Sequence, residues 1–180
     1  VRLLMVRAGL DPLEGAGEQD GTIRVPWLPG IAVRVSCVDT DRTRAVSLRF
    51  LHRRPASIDA LGFETTDCTV LRAACRARSG LTLFCGATGS GKTTTMSAVL
   101  TEACGAGRRV VTIEDPVEYE LPEALQIEER SCIDPVAAAL RQDPDILAIG
   151  EVRRRRHGHA LRDALFSGHQ VFATVHAASL

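Results

Sequence analysis

Eight residues, Gly86-Ala87-Thr88-Gly89-Ser90-Gly91-Lys92-Thr93, stand between the apolar run LTLFC and the run TTMSAVL, which reads as a helix. The glycines let successive backbone N–H groups turn inward toward an anion that any Cβ would push away. Lys92 supplies a point charge for outer phosphates, the Thr93 hydroxyl suits a magnesium ion, and the helix that begins there adds the positive end of its dipole. Lys92 is also the only lysine among 180 residues. A G-x-x-x-x-G-K-T pattern in this setting is a phosphate cradle, and it commits the surrounding chain to a strand-loop-helix unit. The loop from Gly86 to Thr93, with Thr94 beside it, is the candidate nucleotide-binding set.

With 45% hydrophobic residues and a formal net charge of zero, the chain can bury a core of one domain or one and a half. No apolar run approaches the ~20 residues that span a bilayer, and VRLLMV is too short for the core of a secretory signal, so a cytoplasmic location is the default expectation. Six cysteines, Cys37, Cys68, Cys75, Cys85, Cys104 and Cys132, form no C-x-x-C pair and read as reduced, mostly buried residues. The neutral balance argues against a dedicated nucleic-acid binder. The run Arg153-Arg154-Arg155-Arg156 is a local exception that a solvated helix face explains.

Along the chain, IAVRVS and AVSLRFL alternate as antiparallel strands do, and residues 1–56 read as part of a small β-rich domain. HRRPASIDALGF reads as a linker entering a helix, with Ser57 or Asp59 as caps, and TVLRAACRARSG as a helix closed by Gly80. From Leu81 onward, short apolar strands alternate with helices: LTLF, the loop, a helix to about Cys104, RVVTIE, PVAAALRQ, ILAIG, ALRDALFSG and QVFATV. This is the pattern of a parallel, doubly wound α/β sheet over residues 57–180. Ligands in such sheets sit beyond the carboxyl ends of the strands, where Glu114, Asp115, Glu118, Glu151 and His176 fall.

GATGSGKT, TIEDPVEY, LRQDPDILAIGE and GH…TVH, in that order, resemble the Walker A, Asp box, Walker B and His box of the type II secretion, type IV pilus and competence ATPases. The likeness extends upstream through AGLDPLEGAGEQDGTIRV, VRVSCVDT and VSLRFL, so nearly the whole chain is covered. Its wording is closer to the secretion or extension branch than to the retraction branch. The resemblance implies a RecA-like P-loop core binding ATP and Mg, preceded by part of an N-terminal domain. It implies catalytic roles for Glu151, Glu114 and Glu118, and magnesium ligation by Thr93, Asp115 and Glu151. His169 and His176 are placed against the nucleotide. Arg34 and Arg49 match the family's strand arginines and are candidates to reach a neighbour's γ-phosphate, with Arg44 as a third. A motor working as a homo-hexamer, peripheral on the inner membrane against a platform protein and without direct nucleic-acid contact, is the implied setting.

The chain also departs from the family's pattern. It begins at Val1 and stops just past the His box, and so reads as a fragment. Ala87 stands where proline is usual and Ala177 where threonine is usual, and the segment before LRQDPD is abbreviated. Arg154 and Arg156 occupy positions where the family has acids. Two such cations beside Glu151 are expected to pair with it or with the Asp box carboxylates, and to lower turnover. Two other readings follow: a nucleotide-binding paralogue without efficient turnover, and a DNA-translocating P-loop ATPase.

Overall fold

A computed structural model describes residues 1–13, 17–27, 30–40, 42–52, 55–129 and 132–177. The chain divides into two compact units, Val1–Arg54 and Pro55–Leu180. Arg53 and Arg54 of the expected linker lie outside the described residues.

In the first unit, α1 (Arg2–Arg7) packs on an antiparallel sheet ordered β1 (Glu18–Arg24), β2 (Ile31–Asp39), β3 (Arg44–His52). Alternation sorts the sheet into two faces. Val33, Val35 and Cys37 of β2 join Ile23 of β1 and Val46 of β3 around Met5 and Ala8 of the helical segment. The opposite face carries Arg34, paired in register with Arg49 of β3 and Thr22 of β1. The two strands expected from IAVRVS and AVSLRFL are β2 and β3; α1 and β1 had no clear periodic signal of their own.

The second unit opens with a single 3-10 turn, Ile58–Leu61, after Ser57, whose side chain makes no capping bond. A helix α2 (Thr65–Arg76) follows. Gly80 does not close that helix: it is the first residue of β4 (Gly80–Gly86). The remaining elements are α3 (Lys92–Gly105), β5 (Val110–Glu114), β6 (Leu125–Glu128), α4 (Pro135–Leu140), β7 (Ile146–Ile149), α5 (Arg155–Phe166) and β8 (Gln170–His176). The strands form one fully parallel sheet ordered β4-β8-β7-β5-β6. Strand β6 was not expected, because LQIE is short and only half-buried.

Residue parity decides which layer each strand residue joins. Val110, Ile146, Ala148 and Phe172 point to the layer of α2 and α3, with Cys75, Met96, Val99 and Leu100. Val111, Ile113, Leu147, Ile149, Val171 and Ala173 point to the opposite layer, with Ala139 of α4 and Ala160 and Ala164 of α5. Strands buried on both faces need continuous apolar runs, which is what VVTIE, ILAI and QVFATV supply. Phe172, fully buried, stacks on Phe84 with ring centroids 6.2 Å apart.

Phe172→Ala is expected to cost about 3–5 kcal/mol, the usual scale for an aromatic removed from a core. Leu81→Ala, on the half-exposed outer face of the edge strand, is expected to cost under about 1 kcal/mol by comparison. Urea denaturation of the two variants beside the parent checks the contrast.

Candidate functional site

The phosphate loop joins the carboxyl end of β4 to the start of α3. Gly91 immediately precedes α3 with φ +90°, a left-handed conformation that a side chain rarely tolerates, so the turn into the helix depends on glycine. The Lys92 ammonium folds onto the loop, donating to the carbonyls of Gly86 at 3.0 Å and Ala87 at 2.8 Å. Thr94 is bonded to the Tyr119 hydroxyl at 2.9 Å, tying the first turn of α3 to the Asp box segment. On the other side β8 ends beside the loop: Gly86 and His176 are register partners, Ala177 N–H donates to the Gly86 carbonyl at 3.2 Å, and His176 Nδ1 lies 3.4 Å from Thr88 Oγ1.

Next to the loop, the ends of β5 and β7 approach closely. Gly150 N–H donates to the Ile113 carbonyl at 2.8 Å. A Cβ at Gly150 would sit 3.2 Å from Glu114 Cγ and 3.3 Å from the Ile113 carbonyl, so a larger residue would crowd Glu114. The next residue, Glu151, emerges into a cavity of about 90 Å³ that is also lined by Thr93, Glu114, Asp115, Glu118, Arg153 and Arg154. Thr93 and the four expected carboxylates are thereby gathered in one place.

The carboxylates are in unlike surroundings. Glu114 is 7% exposed, and its Oε1 accepts from Thr112 Oγ1 at 2.6 Å and Gln126 Nε2 at 3.0 Å. Burial pushes its carboxyl above the ordinary value, against the pull of those donors. Glu151 is more open and is bonded by Arg153 at 2.5 Å. That guanidinium holds Glu151 below the ordinary carboxylate range, with Lys92 and His176 adding in the same direction.

The arginine run does not behave as expected. Arg154 and Arg156 turn to Glu129, just past the end of β6, and the pairing with Glu151 is made by Arg153. Glu129 also lies 3.1 Å from Nε2 of the buried His157. The sequence pointed to no role for Glu129, Gln126 or His157, and it showed Tyr119 only as the last residue of the Asp box run; the bonds of Tyr119 to Thr94 and of Glu129 to His157 join segments 25 and 28 residues apart.

His169 also needs correction. It precedes β8 at the amino-terminal edge of the sheet, where its carbonyl accepts from Gly80 N–H and its ring is bonded to the Ala164 carbonyl at 3.2 Å. The phosphate loop lies at the other end of that strand, about 20 Å away at ~3.3 Å per residue. Of the two histidines, the parallel register brings His176 alone to the loop. Arg34 and Arg49 belong to the first unit, where Arg34 bonds Asp20 at 3.2 Å. Arg44 is engaged by Asp39 and by the Pro12 carbonyl, which fits a structural role better than that of a reaching arginine.

Among the described residues, no three His, Cys, Asp or Glu side chains form a ready-made metal cage. The oxygen donors around the cavity, the Thr93 hydroxyl with the carboxylates, suit magnesium, which is held by one or two protein groups together with phosphates and water.

The sequence matches the family described as Type II/IV secretion system protein over residues 2–180. Type II secretion system protein HxcR of Pseudomonas aeruginosa is 38% identical, the match covering 98% of this chain and 39% of the relative. Type II secretion system protein E of the same organism is 35% identical, covering 99% and 37%. A crystal structure of the pilus retraction motor PilT with bound ADP superposes with a TM-score of 0.78 at 30% identity, over 90% of this chain and 48% of that one. The chain thus spans less than half the length of each of these three proteins.

The Glu151–Arg153 contact carries a pH signature. A carboxylate whose folded pKa is depressed stabilises the fold above its unfolded pKa, and that contribution is lost as pH falls through the folded value. Arg153→Ala is therefore expected to lower stability at neutral pH by less than about 1 kcal/mol, since the pair is partly exposed, and by nothing once Glu151 is protonated. Urea titrations of parent and variant at pH 7 and in acid check both limbs.

Proposed function

This chain belongs to the Type II/IV secretion system protein family, and from that premise we propose that it is part of an ATP-hydrolysing motor of secretion or pilus assembly machinery. The observation that carries the reading is the cavity in which Thr93 of the phosphate loop meets Glu151, Asp115 and Glu118. Backbone N–H groups of Gly89 to Lys92 and the α3 dipole receive the phosphates. Lys92 exchanges the two loop carbonyls it now bonds for phosphate oxygens. Magnesium, held by Thr93 with Asp115 or Glu151, would neutralise phosphate charge there. Glu151 orients the attacking water, and the buried, already bonded Glu114 holds the strand end that positions it.

His176, beside Thr88, reports on the loop's occupancy by its own hydrogen bond. Arg34 and Arg49 serve a neighbouring subunit's site within a homo-hexameric ring, at the cost of opening the Arg34–Asp20 pair. Among the described residues no helix is long and apolar enough to cross a membrane. In this reading the motor acts peripherally on the inner membrane, from the cytoplasm, through a platform protein and without direct nucleic-acid contact. The Arg153–Glu151 ion pair favours one competing reading, nucleotide binding without turnover.

Lys92→Ala is expected to abolish nucleotide binding or turnover while leaving the circular dichroism spectrum unchanged; equal affinity and turnover in both proteins would overturn the assignment. Glu151→Gln is expected to retain bound Mg-ATP and slow single-turnover hydrolysis at least ~100-fold. A parent that binds but shows no turnover would support the competing reading instead. Mixed rings of Arg34→Ala and Lys92→Ala subunits are expected to regain activity if the arginine acts across an interface, since one intact composite site then forms. Absence of rescue in verified mixed rings would place Arg34's role within its own subunit.

A further inference from the structure

Helix α5 begins under unusual electrostatic conditions. Its first turn carries no acid, its N-cap is Arg154, and Arg153, Arg155 and Arg156 crowd the same positive end. A helix N-terminus repels cations, so this start needs an anion from elsewhere. Glu129 supplies it. The carboxylate is 11% exposed at its side chain, is bonded by Arg156 and lies 3.7 Å from Arg154.

The same oxygen, Glu129 Oε1, is 3.1 Å from His157 Nε2, while His157 Nδ1 accepts from the backbone N–H of Arg153 at 3.2 Å. An imidazole that accepts at Nδ1 carries its proton on Nε2 and donates it to Glu129, so both ring nitrogens are satisfied in one neutral tautomer. Burial and the neighbouring arginines hold His157 below its ordinary pKa, in keeping with that form. Arg153 in turn grips Glu151, and Val152 N–H donates to the Thr174 carbonyl at 2.9 Å. The turn from Glu151 to His157 is thus held at both ends.

We propose that Glu129 and His157 are a positioning pair for Glu151: Glu129 balances the arginine run and fixes the His157 ring, whose Nδ1 holds the Arg153 main chain and so sets where Glu151 stands. The arginines at 154 and 156 are then one half of a matched charge pair, and they do not degrade the site. This inverts the expectation drawn from the sequence: replacing Arg154 and Arg156 by acids confronts Glu129 with two like charges and disturbs the turn. The proposal rests on the ATP-hydrolysis reading for its effect on rate, but not for its effect on the turn.

A charge-reversal cycle tests it. Glu129→Arg, the double variant Arg154→Glu with Arg156→Glu, and the triple variant combining them are compared for kcat, KM for Mg-ATP and the hydrogen-exchange rate of the Arg153 amide. Each reversal alone is expected to lower kcat roughly 10- to 100-fold, the scale of a small misplacement of a reacting group, with KM changed much less. It is also expected to speed Arg153 exchange, and the triple variant is expected to do better than either half without reaching the parent, because it restores the charge balance while an arginine at 129 cannot accept the His157 Nε2 proton. A triple variant no better than either half, or single reversals that leave kcat and Arg153 exchange at the parental values, would overturn the proposal. Should Glu129→Arg fail to fold, Glu129→Gln replaces it: the amide can still accept from His157 but lacks the charge, so kcat and exchange should fall between parent and double variant. Parental values for that variant would overturn the proposal. A parent that hydrolyses no ATP refutes the reading of the site as an ATPase, and Arg153 exchange alone then decides whether the pair holds the turn.

Discussion

The contact on which the site depends is the junction of β5 and β7 at Gly150. Its N–H reaches the Ile113 carbonyl, its own carbonyl accepts from Thr174 Oγ1 of β8, and Val152 N–H returns to the Thr174 carbonyl. Three neighbouring strands are laced together within three residues, immediately before and after Glu151. The limited space above Gly150 is taken by Glu114. The glycine is therefore required by packing, and it forces the first available side chain of β7 to be the one beyond the strand end, facing the phosphate loop.

This junction also separates two carboxylates that begin on adjacent strands. Glu114 stays in the layer between elements, with Thr112 and Gln126 as its donors, and burial raises its pKa. Glu151 steps out among Arg153, Lys92 and His176, and its pKa falls. Neighbouring carboxylates pushed in opposite directions suit different tasks, one structural and one available to water and metal. The same surroundings show why the arginine run is compatible with such a site. A carboxylate on the facing segment draws off Arg154 and Arg156, leaving Arg153 as the cation on Glu151.

Much of this was legible in the sequence because it is local. The G-x-x-x-x-G-K-T spacing defines a loop of fixed length between a strand and a helix, whatever lies around it. Apolar runs such as ILAI and VVTIE announce strands buried on both faces, and the alternation of IAVRVS announces a sheet with one open face. The acids at the ends of those runs fall at the sheet's carboxyl edge once the strands are known to be parallel. Less regular segments were harder: LQIE is too short to declare itself, and Gly80 carries the same punctuation whether it ends a helix or begins a strand.

What the amino-acid order determined alone was therefore the phosphate loop, the α/β alternation and the set of carboxylates that follow strands. Tertiary structure decided which partners those groups have. The direction of β8 sends His176 to the loop and leaves His169 at the far edge, although the two are seven positions apart in one motif. The approach of β6 to the start of α5 gives Arg154 and Arg156 to Glu129, across a separation of 27 residues for Arg156. Local spacing encodes backbone conformation through sterics and periodicity, but the choice among several carboxylates within reach of a charge is made by distance and burial, and those exist only once the sheet has assembled.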